Sequence, residues 1–447
     1  MPKRRFMFIA VFLAVLFGLV APASAEGEQV QVRLQARDAE GERQPVVGVV
    51  FSVADEAGNE IGSGATGEDG VFLLDVPSAG TYIVTIDPTT LPEGITLSNP
   101  DRVSNEARVD VGGVGNTLFG LESGDAPVQT TTESGVSVRR VLQLIVDGAK
   151  LGLFLGMAAI GLSLIFGTTG LTNFAHSEMM VFGMLTSYFF NYYGLAGVFG
   201  FMAGWPAPFG GGVNLIFATL ISMVLGGGFG YLLDAWIFSP LRRRGTSLIA
   251  QLVITIGLSI FLRYFFLFIF GGNPRFYKDY TAQQARTYFG LIDITDKDLI
   301  TMVITVVVLV SVGLLLQRTR IGKAMRAVAD NRDLAESSGI DVQRVIRFVW
   351  IAGGALAALG GTFLGLSETL NWLLGFRMLL LIFAGVTLGG LGTAYGAFVG
   401  CLLIGIGIQV STLFIPIELK NAGALAVMIV VLMVRPQGIL GRAERIG

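Results

Sequence analysis

Two hydrophobic rhythms divide this chain. Over residues 26–121, short runs such as "VQVRLQA", "VVGVVFSVA", "VFLLDV" and "TYIVTI" alternate apolar with polar positions. Turn clusters at Asp38 to Gly41, Asp55 to Asn59, Glu68-Asp69-Gly70 and Pro77 to Gly80 separate them. Alternation with period two places one face of each run inside, and runs of this length and spacing predict an antiparallel β-sandwich. From residue 141 to 447 the rhythm gives way to near-continuous apolar stretches, near 143–166, 173–190, 213–238, 248–270, 299–316, 347–366, 378–391, 395–414 and 422–434. Roughly 20 apolar residues cross a bilayer as a helix. The last stretch is short and the pair around "LGGLGTAYG" reads as a hairpin, so eight or nine spans are expected. The fold class that follows is an α-helical polytopic membrane protein preceded by an exported all-β sandwich domain.

Export is read from residues 1–25. Lys3, Arg4 and Arg5 form a basic start, Phe6 to Val20 an apolar run, and Ala23-Ser24-Ala25 a small-residue cleavage site, the pattern of a signal peptide. An uncleaved anchor would export the next domain equally. Residues 122–140 form a linker rich in Thr, Ser and Gly, and 141–447 the transmembrane domain.

Composition narrows the chemistry. Apolar residues make up 52% of the chain and charged ones 14%, against about 25% charged in soluble domains. Cys401 is the single cysteine and lies in an apolar span, and His176 is the single histidine. Disulfides, thiol metal sites and multi-histidine clusters are therefore not expected, and no metal or cofactor is. Gly322-Lys323 is followed by Ala324, so the chain shows no phosphate-cradling G-x-x-x-x-G-K-[ST] loop.

Charge is unevenly spread. Residues 26–125 hold 18 acidic residues, 5 arginines and no lysine, whereas 15 acidic and 23 basic residues follow. Counting spans from an outside start puts Arg242-Arg243-Arg244 inside. The segment 317–346, with Arg318, Arg320, Lys323, Arg326, Arg332 and Arg344, falls on the same side, as does the tail with Arg435, Arg442 and Arg445. Positive residues then collect on one side, as the topology rule requires.

"LTNFAHSEMM", residues 171–180, puts Asn173, His176 and Glu178 among apolar runs. A charged side chain at a membrane helix centre costs about 2.5–3.5 kcal/mol on insertion scales. Gly167 and Gly170 permit a bend, and polar groups at membrane depth tend to face cavities. Asn173 and His176, three apart, can share a helix face, while His176 and Glu178, two apart, cannot. Asn173 and His176 are therefore expected on a translocation path, with Glu178 turned to a neighbouring helix as a structural polar partner. The plainer alternative makes Asn173 a cap, Glu178 a complement to the positive helix end, and His176 a hydrogen-bonding neighbour. Glycine-rich pairs at 151–190 and 348–391 enter from opposite sides, a pattern of inverted repeats.

The segment 319–345 is too charged to be embedded. Ile321, Met325 and Val328 recur at helical spacing over a helix 321–338, Gly339 is placed to end it, and Asp341 to cap the next span. An exposed amphipathic helix between spans suits a partner's groove; a solvated loop is the alternative.

"RTRIGKAMRAVADNRDLAESSGIDVQRVIRFVWIAGGALAALGGTFLG" resembles the cytoplasmic loop and following span of the branched-chain amino acid permeases of ABC importers. "LTNFAHSE" resembles their Asn-Phe-Ala-His-Gly-Glu motif, "PLRRRGTSLIAQLVITIGLSIFL" a span junction, and "RPQGILGR" their C-terminal tail, over about residues 141–445. The resemblance implies a multi-pass subunit of a bacterial-type cytoplasmic (inner) membrane without ATPase activity of its own. Its implied partners are two ABC ATPase subunits, a second related permease, an extracytoplasmic solute-binding protein and the lipid bilayer, with no nucleic acid. It also implies that the cytoplasmic helix couples ATP hydrolysis to transport, through Ile321, Gly322, Met325, Val328 and Gly339. Two positions depart from the pattern: Ser177 where the motif has Gly, and Leu381 where the family usually has lysine.

The N-terminal stretch "GVVFSVADEAGNEIGSGATGEDGVFLLDVPSAGTYIVTI" resembles transthyretin-like and collagen-adhesin B-type sandwiches. The absence of lysine from 26–125 excludes a lysine isopeptide cross-link there. Residue chemistry alone also admits a self-sufficient channel or a secondary transporter, and less well a membrane enzyme, since no nucleophile–base pairing accompanies His176. With the resemblance, the expected function is an importer permease for branched-chain amino acids, with urea or short amides as the alternative cargo.

Overall fold

The structure is a computed structural model. It describes residues 29–37, 43–67, 70–78, 80–92, 94–97, 103–109, 114–117, 119–123, 138–197, 212–272, 275–280, 285–288 and 290–415, with scattered positions from 419 to 440. The signal-like residues 1–25, linker residues 124–137 and the tail residues Arg435, Arg442 and Arg445 lie outside the described residues. Two compact units divide the chain, one within 21–135 and the other chiefly from 136 onward.

The first unit is built from β1 (Gln29–Arg33), β2 (Val50–Asp55), β3 (Glu60–Ala65), β4 (Val71–Asp75), β5 (Gly80–Ile86), β6 (Ser104–Val109) and β7 (Val114–Thr117). One sheet has the order β3-β2-β5-β6, all antiparallel; a second has the order β7-β1-β4, and two antiparallel pairs, Gln35–Arg37 with Arg43–Pro45 and Ile95–Leu97 with Leu121–Ser123, lie in the same unit. β1 runs antiparallel to β4 but parallel to β7, so the sandwich is not purely antiparallel. Alternation does what period two requires: Val30, Val32 and Leu34 are buried from one sheet, and Phe51, Val53, Val84 and Ile86 from the other. The rings of Phe51 and Phe72 stack 5.6 Å apart at the centre. At the β2–β3 turn, the Asp55 carboxylate accepts from the side-chain and backbone N–H groups of Asn59, which hold it below the usual carboxylate range.

The second unit is helical: α1 (Val138–Thr169), α2 (His176–Tyr193), α3 (Leu215–Arg243), α4 (Leu248–Phe270), α5 (Asp296–Arg318), α6 (Arg320–Asp330), α7 (Arg332–Ser337), α8 (Val342–Ser367), α9 (Leu374–Gly389) and α10 (Ala394–Ser411). Six of them, α1, α3, α4, α5, α8 and α10, are long and apolar enough to cross a membrane, and α9 is a shorter apolar helix. This is a polytopic helical membrane protein. Side-chain caps set several starts: Asn214 before α3, Ser247 before α4, Thr295 before α5 and Asp341 before α8 each accept from a first-turn N–H.

α8 is the centre of the bundle, packed on α1, α2 and α3. Small residues make this possible. A Cβ on Gly361 would lie 2.0 Å from the Met180 carbonyl oxygen in α2, and one on Gly226 in α3 would lie 2.8 Å from the Gly354 carbonyl oxygen. Between apolar helices in lipid, close backbone approach of this kind supplies the packing energy that water-driven burial supplies elsewhere. α4 and α5 leave most of their apolar surface uncovered by this chain. Of the three arginines at the end of α3, Arg242 has a buried guanidinium paired with Asp234 of the same helix.

Candidate functional site

The junction between α1 and α2 is broken inside the bundle. α1 ends at Thr169, Gly170 turns the chain with φ of 69°, and α2 begins only at His176. His176 donates through Nε2 to the carbonyl oxygen of Ala158 at 2.8 Å. α1 continues from Ala158 to Thr169, about 16 Å further along its axis at about 1.5 Å per residue. The start of α2 is thus sunk deep beside α1. Irregular backbone at such depth survives only where its polar groups find protein partners. Here Phe174 N–H donates to the Thr255 hydroxyl of α4 at 3.2 Å, and Ala175 N–H to Asn173 Oδ1 at 3.1 Å.

Glu178 lies in the first turn of α2, where a negative charge suits the helix end. Its Oε1 accepts from Arg263 of α4 at 3.2 and 3.3 Å and from Ser259 at 3.3 Å. The Arg263 guanidinium also lies over the Phe376 ring of α9, 4.2 Å from its centre. One cation therefore ties α2, α4 and α9 together. Sequence reading named Glu178 but missed Arg263, although it is the single charged residue in Leu248–Phe270.

Asn173 and His176, expected to face a path, have no accessible surface in this chain. They sit in one turn, where His176 N–H donates to the Asn173 carbonyl oxygen at 3.2 Å. Asn173 Nδ2, His176 Nδ1, Glu178 Oε2 and Ser163 Oγ are buried without hydrogen-bond partners. The arrangement holds no nucleophile paired with a base, and no group of three or more His, Cys, Asp or Glu able to hold a metal occurs among the described residues.

The charged segment folds differently from a single helix over 321–338. α6 stops at Asp330, Asn331 takes an extended conformation and caps α7 by accepting from Leu334 N–H. Asn competes with helical hydrogen bonding in this way. Met325 and Val328 are buried in the membrane unit's own core, and Ile321 is packed against it. This corrects the expectation that Met325 and Val328 enter a partner's groove, because a side chain cannot fill both; Ile321 is half-buried. Gly322 serves the tight α5–α6 corner, where a Cβ would lie 2.4 Å from the Leu315 and Leu316 carbonyl oxygens. Gly339, with φ of 84°, follows α7. Outward the segment presents Arg320, Lys323, Arg326 and Arg332 together with Asp330, Asp333 and Glu336, and the exposed apolar side chain of Leu334. The tail closes off the end of α9. Ile439 and Leu440 N–H groups donate to the Leu388 and Gly389 carbonyl oxygens there, at 2.7 and 2.9 Å, satisfying carbonyls the helix leaves open.

The family described as "Branched-chain amino acid transport system / permease component" matches residues 144–432, nearly the whole helical unit. The chain belongs to this permease family. Among its relatives is the high-affinity branched-chain amino acid transport system permease protein LivH of Escherichia coli K12, 30% identical over 68% of this chain and 96% of the relative. The corresponding BraD of Pseudomonas aeruginosa is 28% identical over 68% of this chain and 96% of its own length. A probable LivH of Methanocaldococcus jannaschii is 27% identical over 67% and 92% respectively. For this permease the α1–α2 break and the α6–α7 segment both fall within the matched region, and the β-sandwich falls outside it.

Proposed function

We propose that the chain is the membrane subunit of an ATP-driven importer that carries branched-chain amino acids across a bacterial-type cytoplasmic membrane. The observation that carries this reading is the family match across nearly the whole helical unit, in a chain without a phosphate-cradling loop of its own. Energy then comes from two ATPase subunits docked on the cytoplasmic face. A second related permease completes the path, and an external binding protein delivers the solute. The sandwich domain lies outside, consistent with its acidic, lysine-free composition.

In this reading α6 and α7 are the coupling element, acting through Leu334 and the outward cations rather than through Met325 and Val328. Asn173 and His176, closed off in this structure, become polar wall groups of the path when the bundle opens at 170–175, with the Glu178–Arg263 pair as the brace beside them. Co-expression with the partner ATPases and binding protein tests the cargo. Uptake of labelled leucine should be competed by isoleucine and valine and not by urea or acetamide; the reverse pattern would assign the permease to short amides.

A further inference from the structure

A cavity of about 110 Å³ opens at the end of the bundle where α1 begins, α8 ends and α10 ends. From α1 it is lined by Asp147, Lys150, Leu151 and Phe154, positions that share one helix face by their three- and four-residue spacing. The order along that face is charged first and apolar deeper. α8 runs the other way and repeats the order, with Leu364 deep and Glu368 at the rim. Two antiparallel helices therefore agree on a charged mouth and an apolar floor.

The mouth carries both signs. Lys150 Nζ is 3.1 Å from Asp298 of α5, and an ammonium with three donors retains capacity for a further acceptor. Asp147 takes one bond from Gln143 at 3.2 Å through Oδ2, leaving lone pairs on the other oxygen. An inorganic anion would meet Asp147 and Glu368, and a wholly apolar solute would lose the hydration of every rim group for no return. An apolar cavity of about 150 Å³ admits a benzene ring, so a space of this size suits an isopropyl or isobutyl group.

We propose that this cavity is a solute-holding pocket for a small zwitterion with an apolar side chain, an α-amino acid. Glu368 and Asp147 hold its ammonium, Lys150 its carboxylate, and Phe154 and Leu364 its side chain. The proposal rests on the importer reading, whose topology puts this end outside, and it makes the pocket the first station after delivery.

The test uses the assembled complex with Cys401→Ala and Gln409→Cys in this chain, which places the chain's single thiol on the α10 wall, and follows alkylation of this chain by a maleimide. L-Leucine should slow alkylation several-fold. Isocaproate, which lacks the ammonium, and isopentylamine, which lacks the carboxylate, should not at the same concentration. Adding Glu368→Gln should raise the half-protecting leucine concentration at least about tenfold, the effect of losing one charge-assisted hydrogen bond. Ser367→Cys is a second reporter if Gln409→Cys impairs assembly. Equal protection by all three compounds, or none at either reporter, would overturn the pocket. Leucine uptake by the unmodified complex is measured in parallel. Uptake without protection rejects the pocket alone, and protection without uptake rejects the importer reading alone.

Discussion

Glu178 of α2 and Arg263 of α4 hold a carboxylate oxygen and a guanidinium nitrogen 3.2 Å apart, with the glutamate side chain fully buried and the arginine's 12% exposed. Removing one partner of such a pair leaves an uncompensated charge, typically at a cost of about 3–5 kcal/mol, whereas replacing both by apolar groups is often neutral. Arg263→Leu should therefore lower the thermal midpoint of the purified permease sharply, and Glu178→Leu with Arg263→Leu should recover most of it. A double variant no more stable than the single one would show that the pair is not a unit.

Close backbone approach around α8 gives a second expectation. Gly361→Ala drives a methyl group into the Met180 carbonyl of α2 and should destabilise by about 1–3 kcal/mol, as overpacking does. Gly228→Ala, where nothing lies within 4 Å, should be neutral or stabilise α3 by up to about 1 kcal/mol. Thermal midpoints of the two variants in the same detergent decide it, and equal losses would contradict the packing account.

Docking and folding separate in the α6–α7 segment. Leu334 is 64% exposed and Met325 3%. Leu334→Asp should leave the permease folded but remove stimulation of the partner ATPases, since truncating an apolar anchor at an interface often costs about 2 kcal/mol or more. Met325→Asp should instead reduce the yield of folded permease. Full ATPase stimulation with Leu334→Asp would move the coupling contact elsewhere.

Much of this architecture was legible in the residues. Period-two runs marked the sandwich and Asp341 the start of α8, because burial and capping leave direct traces in residue order. Of the eight or nine spans expected, six helices among the described residues are long and apolar enough to cross a membrane; the run at 173–190 is not among them, and that at 422–434 lies partly outside the described residues. Asn331 splitting the amphipathic helix was less visible, since one polar residue in an exposed helix is ordinary until its backbone is seen. The inward stripe of Met325 and Val328 is ambiguous in the sequence for a related reason. Amphipathic spacing states that one face is covered, and not whether the chain itself or a partner covers it. The partner of Glu178 needed an interhelical register that no local pattern contains, even though Arg263 stood alone in its span. The depth of His176 against Ala158 was hidden likewise, because a break and a re-entry look in sequence like any glycine-bearing turn.

Topology can be read directly. Ser63 in the sandwich and Ser337 at the end of α7 are both exposed. Cysteines placed there one at a time, with Cys401 replaced by Ala, should label differently in intact cells: Ser63→Cys with an impermeant maleimide, Ser337→Cys only after permeabilisation. Labelling of both in intact cells would refute the proposed sidedness.

The permease should move amino acids only when partner ATPases hydrolyse ATP. Proteoliposomes containing the permease pair, both ATPases and leucine-loaded binding protein should accumulate leucine against its gradient with ATP and Mg²⁺ on the ATPase side. Accumulation should vanish when a non-hydrolysable ATP analogue replaces ATP. Downhill leucine flux through this chain alone, unaffected by ATP, would contradict the importer reading and make the protein a channel or secondary transporter.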